Sequence, residues 1–181
     1  MQPLADLLAH IQDAQEQMLG TMPFRDFGSP ARLGASETAL ATAEQRIGRA
    51  LPPSYRAFLR LHDGWSRFYD GAALLGTATL GLRQYDDLAR ATFDAAETPV
   101  PDVGPPSRFK PRVLIPFGID VQAMTLFVFN PAVCDASGEY EVIAWINELG
   151  IRRSSFPSFL EMIGELCDAE LASDAQSGLT L

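Results

Sequence analysis

The chain has 181 residues, 47% of them hydrophobic and 20% charged, with a formal net charge of −9 and an isoelectric point near 4.6. At about 150 residues per domain this length predicts one domain, large enough to bury a core without disulfides or metals. The acidity argues against nucleic acid as a partner, since phosphate contacts need clustered Lys and Arg, and no apolar run approaches the roughly 18 residues of a membrane span. No basic segment precedes an apolar run at the N-terminus, and Cys134 and Cys167 lack metal-ligand spacing, so reduced, packed thiols in the cytoplasm are expected.

Residues 3–19 read as a helix: Pro3 suits its first turn, Leu4, Leu7, Leu8, Ile11 and Met18 make one stripe, and Gly20 can end it. Met22-Pro23 and Gly28-Ser29-Pro30 break the next stretch into a loop, which Phe24 and Phe27 would pin to the body. This helix and loop, residues 1–35, form an N-terminal extension that either packs on the rest or serves as a contact arm. Residues 36–65 are the best-defined part of the chain. Ser36 suits an N-cap, Glu37 follows where the helix dipole favours an acid, Leu40, Ala43 and Ile47 recur at i, i+3 and i+7, and Gly48 can close the helix. Pro52-Pro53 restarts the chain as a second helix with Tyr55, Phe58, Leu59 and His62 on one face, ended by Asp63-Gly64.

After Trp65, residues 66–73 are polar and broken by glycine, which predicts a loop. Residues 74–82 could hold one or two short strands, and Gln84 to Glu97 returns to helical spacing. Pro99 to Pro111 is proline-dense and expected to be extended. Its cluster Arg108, Lys110 and Arg112 could take an anion or pair with nearby carboxylates. Three strands follow, at Val113–Phe117, Met124–Phe129 and Tyr140–Ile146. Ser155 then caps a last helix with Phe156, Phe159, Leu160, Ile163 and Leu166 or Cys167 on one face, and from Ser173 the tail should fray. The order of elements predicts an α+β fold, with helices packed on one side of a mainly antiparallel sheet.

Within residues 36–64, Glu44, Ile47, Gly48, Leu51, Pro52, Tyr55, Phe58, Leu59, His62, Asp63 and Gly64 together resemble the signature of the SUKH superfamily in its Smi/Knr branch. Leu114-Ile115-Pro116-Phe117-Gly118 with Asp120, and Ser155-Phe156 with Phe159-Leu160, are similar to later pieces of that pattern. Asp63 stands where the family usually has Asn, and the proline-rich insertion before Pro116 is a second departure. The resemblance implies a SUKH-like domain over about 36–172, followed by a frayed 173–181. It also implies a non-enzymatic, protein-binding function. In bacteria that is an immunity protein that binds and blocks a cognate toxin, often a nuclease, and in fungi a regulatory scaffold of cell-wall assembly. A composition rich in Arg with Lys110 as its single lysine fits a bacterial source.

The residues themselves offer little chemistry. His10 and His62 have no zinc spacing, and there is no GxSxG, Walker or GxGxxG motif, so neither metal nor cofactor is expected. Asp63 and Asp120 could meet as an acid–base pair, although loop aspartates usually cap turns. Binding has stronger candidates. Trp65, Arg67, Phe68 and Tyr69, beside Asp63 and Asp70, have the composition of a contact hot spot, or of a small satellite core. Residues 131–181 hold nine acids against Arg152 and Arg153, and so seven of the net nine negative charges. Glu161, Glu165 and Asp168 share one face of the last helix at a spacing that costs about 0.2–0.5 kcal/mol per pair, with nothing local to reward it. They could steer a basic partner, such as a toxin, or serve solubility.

Overall fold

The Ser36 side chain accepts from the Ala39 amide at 3.2 Å, so the second helix starts at a residue able to satisfy one of its open first-turn amides. The computed structural model describes residues 2–21, 26–95, 113–120, 122, 124–147 and 149–177. Among them the helices are α1 (Leu4–Thr21), α2 (Glu37–Ile47), α3 (Pro53–Leu61), α4 (Arg83–Ala95) and α5 (Phe156–Ser177). Gly48 closes α2 in the left-handed conformation, φ 78°. Proline occupies the first position of α3, which has no side-chain cap of its own. Glu139 supplies one from across the fold, accepting from the Ser54 amide and hydroxyl at 2.7 Å each. Glu37 accepts from Arg56 (2.8 Å) and Arg60 (2.7 Å), and Glu44 from Arg56 and the Leu51 amide, which ties α2 to α3.

The strands β1 (Trp65–Tyr69), β2 (Ala72–Leu74), β3 (Ile115–Ile119), β4 (Thr125–Cys134), β5 (Tyr140–Ile146) and β6 (Leu149–Arg153) form one antiparallel sheet in chain order. Phe117, Phe127 and Phe129 project from β3 and β4 toward α3 and α5. Phe117 stacks on Phe129 at 4.0 Å between centroids, and Phe127 meets Phe159 at 4.8 Å. Tyr55 enters this group edge-on, 4.9 Å from Phe156, and its hydroxyl donates to the Leu75 carbonyl at 2.7 Å. Gly118 is where the Phe127 ring lies against the strand: a Cβ there would come within 2.3 Å of it. Trp145 pairs with Leu126, one residue out of phase with Phe127, so it points to the other face, where Phe93 of α4 meets it at 5.7 Å. The α+β class and the extra N-terminal helix stand, and α4 is the helix found on the second face. Along α1, Leu7, Leu8, Ile11 and Met18 are buried, and α1 packs on α5 rather than reaching away as an arm.

Several elements differ from their expected bounds. Residues 65–69 form a strand, not a loop, because Trp65, Phe68 and Tyr69 find a core to enter. β2 stops at Leu74, and the turn after it is held by Arg46, which donates to the Thr77 and Leu80 carbonyls at 3.2 and 2.6 Å. β4 runs past Pro131 to Cys134 because a register shift absorbs the proline, and the Asn130 side chain accepts from the Ala132 amide. β6 was not expected: Gly150, Arg152 and Arg153 dilute its strand character, and its signal was the left-handed Asn147 (φ 48°) in a two-residue turn. α5 continues through Ser177 where fraying from Ser173 was expected, and Leu171 packs against the core. Phe24 and the Arg108, Lys110, Arg112 cluster lie outside the described residues.

Phe58 is fully buried between Tyr55 and Phe156, so Phe58→Ala should lower stability by about 3–5 kcal/mol in urea unfolding. Hydrogen bonds from Arg60 and then Arg56 hold the Glu37 carboxyl down to about 2, below its ordinary 4.5. A depressed carboxylate stabilises the fold above its ordinary value and loses that contribution as pH falls toward 2. Glu37→Gln should therefore be less stable than the parent above pH 4.5, the gap closing as the pH approaches 2, in thermal melts across that window.

Candidate protein-binding site

The residues singled out after α3 fall into two groups. Trp65 and Phe68 are buried and pack edge to face at 5.2 Å, and Phe68 also meets Phe127 and Phe159. Tyr69 is buried as well; burial and then the neighbouring Glu170, whose carboxylate accepts its hydroxyl at 3.2 Å, push its phenol up. These three aromatics belong to the main core, so they present no surface to a partner. Ser66 and Arg67 are the exposed pair of β1, turned outward together by a bulge with Arg67 at φ 45°.

Asp63 and Asp120 are not brought together. Asp63 precedes β1 and accepts from the Thr77 amide (2.5 Å) and hydroxyl (2.8 Å). Asp120 lies beside Gly71 in the turn beyond the far end of β1 and accepts from the Gln122 and Thr125 amides (3.1 Å for the second). Each carboxylate caps a turn, which gives an acid–base pair no geometry. Among the described residues no three His, Cys, Asp or Glu side chains converge as metal ligands.

The C-terminal acids divide in the same way. Asp135 caps the β4–β5 turn, with its carboxyl held low chiefly by the Ser137 hydroxyl, and Glu139 caps α3. Glu141 is buried, accepting from Asn130 at 2.9 Å and from Arg152 at 2.7 Å through Nε, in a row across β4, β5 and β6. Glu161, Glu165 and Asp168 are exposed on α5, as the helical spacing predicted. One neighbour was missed. His10 of α1 lies against Gly164 and bonds Asp168 at 3.1 Å, so the stripe does have a local partner. Asp6 and Asp13, one turn either side of His10, are exposed too, and the i, i+4, i+7 spacing of the three was legible in the sequence. Five exposed carboxylates thus lie on the two packed helices, and one of them, Asp168, bonds the histidine.

Residues 34–165 match the family described as the SMI1 / KNR4 family (SUKH-1). The chain belongs to that family. No curated protein matches it at a significant level. The family region of this SMI1/KNR4 protein takes in α2 to β6 and the first turns of α5; α1, the segment 26–33 and Asp168 lie outside it. No helix among the described residues is long and apolar enough to cross a membrane.

Removing the Asp63 carboxylate would strand the Thr77 amide, so Asp63→Ala should cost about 1–3 kcal/mol. Asp63→Asn keeps an acceptor for that amide and should cost clearly less in the same denaturant titration. A neutral Asp63→Ala that instead loses partner binding would make Asp63 a contact residue.

Proposed function

We propose that this SMI1/KNR4 protein is an immunity-type binding module that captures and neutralises a cognate bacterial toxin through a basic surface on the toxin. Family membership supports the class of function. The sign of the partner rests on one observation, the exposed acids Asp6 and Asp13 of α1 and Glu161, Glu165 and Asp168 of α5 on two helices packed together. His10 hydrogen-bonds one of the three α5 acids, Asp168, and the repulsion among the three along the helix is what a basic partner would convert into favourable contact and faster encounter.

The test has two parts. The product of the neighbouring gene should co-purify with this chain and lose its toxicity when bound. Replacing Glu161, Glu165 and Asp168 with Gln, Gln and Asn should leave the melting curve of the free protein nearly unchanged and slow association several-fold at low salt. The difference should shrink as salt screens the field. Unchanged association kinetics would remove this face from the interface, and an acidic partner would overturn the reading.

A further inference from the structure

A second feature lies on the other side of α1. Gln12, Gln15, Glu16 and Leu19, at i, i+3, i+4 and i+7, form one wall of a cavity of about 310 Å³. Phe27 and the outward-turned pair Ser66 and Arg67 complete it. The cavity follows from the β1 bulge. Arg67 bows outward, and the segment 26–31 crosses it so closely that a Cβ on Gly28 would come within 1.8 Å of the Ser66 carbonyl oxygen. The Gly28 amide donates to the Arg67 carbonyl at 3.1 Å, which fixes that crossing. Among the described residues, a space is left between α1, the segment and the strand.

Its chemistry is uneven. Gln15 is 2% exposed, and its Nε2 donates to the Phe68 carbonyl. That contact sets the amide's orientation, since a carbonyl accepts only from the nitrogen end. Oε1 is left buried with no donor among the described residues. Arg67 is paired with Asp26 at 3.0 Å, whereas among the described residues Glu16 meets only the Gln12 amide, at 3.1 Å. Among the described residues the cavity therefore offers one carboxylate with no cationic partner, next to the apolar surfaces of Leu19 and Phe27, while the Gln15 oxygen is enclosed behind its wall. Leu19 is 44% exposed.

We propose that this cavity is a socket for a basic side chain, arginine or lysine, of the protein partner. The stem would lie along Leu19 and Phe27 while the cationic head faces Glu16. The proposal rests on the reading of a basic protein partner and adds a specific anchor to it. Two of its walls, α1 and the segment 26–30, lie outside the family region, so the socket would set the specificity of this chain rather than of the family.

The test uses the ¹⁵N-labelled full chain titrated with N-acetyl-arginine amide, N-acetyl-lysine amide and the uncharged N-acetyl-norleucine amide. The cationic probes should shift the Gln15 side-chain amide and the Leu19, Gly28 and Arg67 backbone amides saturably, and the norleucine probe should not. Glu16→Gln should weaken the effect several-fold, and Gln12→Trp, which plugs the mouth from an exposed helical position, should abolish it. Equal shifts with norleucine, no saturation, or indifference to both variants would overturn the socket. The toxin itself separates the two proposals. If it does not bind while the arginine probe does, the functional reading fails and the socket stands; if it binds the Gln12→Trp variant as tightly as the parent, the socket fails and the functional reading stands.

Discussion

The fold turns on one buried hydroxyl. Tyr55 is wholly enclosed by Phe58, Phe117, Phe129 and Phe156, all with ring centroids within 5.4 Å of its own, and an unbonded hydroxyl there would be costly. Burial pushes its phenol up, so it stays a neutral donor, and Leu75 provides the acceptor. That requirement fixes α3 over the exit of β2. Everything around it is arranged to hold the helix in that register: Glu139 at its N-terminus, Glu37 and Glu44 on its arginines, and Asp63 on Thr77 just beyond its end. The ring cluster alone is non-directional and would tolerate a slide of the helix; the hydroxyl would not.

The two sheet edges are treated differently. Beside β1, the segment 26–31 runs close enough for the Ala31 amide to reach the Gly64 carbonyl at 2.8 Å and the Ser66 amide the Ser29 carbonyl at 3.2 Å, so that edge is partly paired. The bulge that turns Arg67 outward lies in the pairing of β1 with β2, where Ser66, Arg67 and Phe68 stand against Ala73 alone. At β6 the edge is short and carries Arg152 and Arg153, charged residues of the kind that discourage a further strand, and Arg153 donates to the Arg152 carbonyl at 3.0 Å.

Local sequence was most informative where structure is local. The α2–α3 hairpin was legible because its caps, prolines and stripes act within a few residues of one another. β5 was legible from weaker signs: Tyr140–Ile146 alternates only loosely, but the turn residues Asp135 to Gly138 mark where it starts. What could not be read was set by tertiary choice. Residues 65–69 look like a loop in isolation because Ser66, Arg67 and Asp70 dominate, and only the arrival of Phe127 and Phe159 makes Phe68 a core residue. β6 is weak in composition and exists because β5 offers it a ladder. Among the candidate contact residues, the α5 stripe came from periodicity and was placed where periodicity put it, whereas Trp65, Phe68 and Tyr69 came from composition and turned inward.

The acids show why net charge was a blunt guide. Counted together, the C-terminal stretch looks like a single negative surface. In the fold Asp135, Glu139 and Glu141 are each engaged by a turn, a helix end or a half-buried arginine, and Glu170 accepts from Tyr69. These carboxylates hold the chain together. Glu161, Glu165 and Asp168 of α5 and Asp6 and Asp13 of α1 are exposed on helices whose opposite faces are committed to the core. A surface of that kind is rigid, so a partner that matches it meets charges already in place and has little ordering cost to offset. α1 gives this arrangement its particular form. It carries Asp6 and Asp13 to one side and the Gln15–Glu16 wall to the other, and its buried stripe anchors both to α5. A helix outside the family region thus positions both acidic features that a basic partner could use.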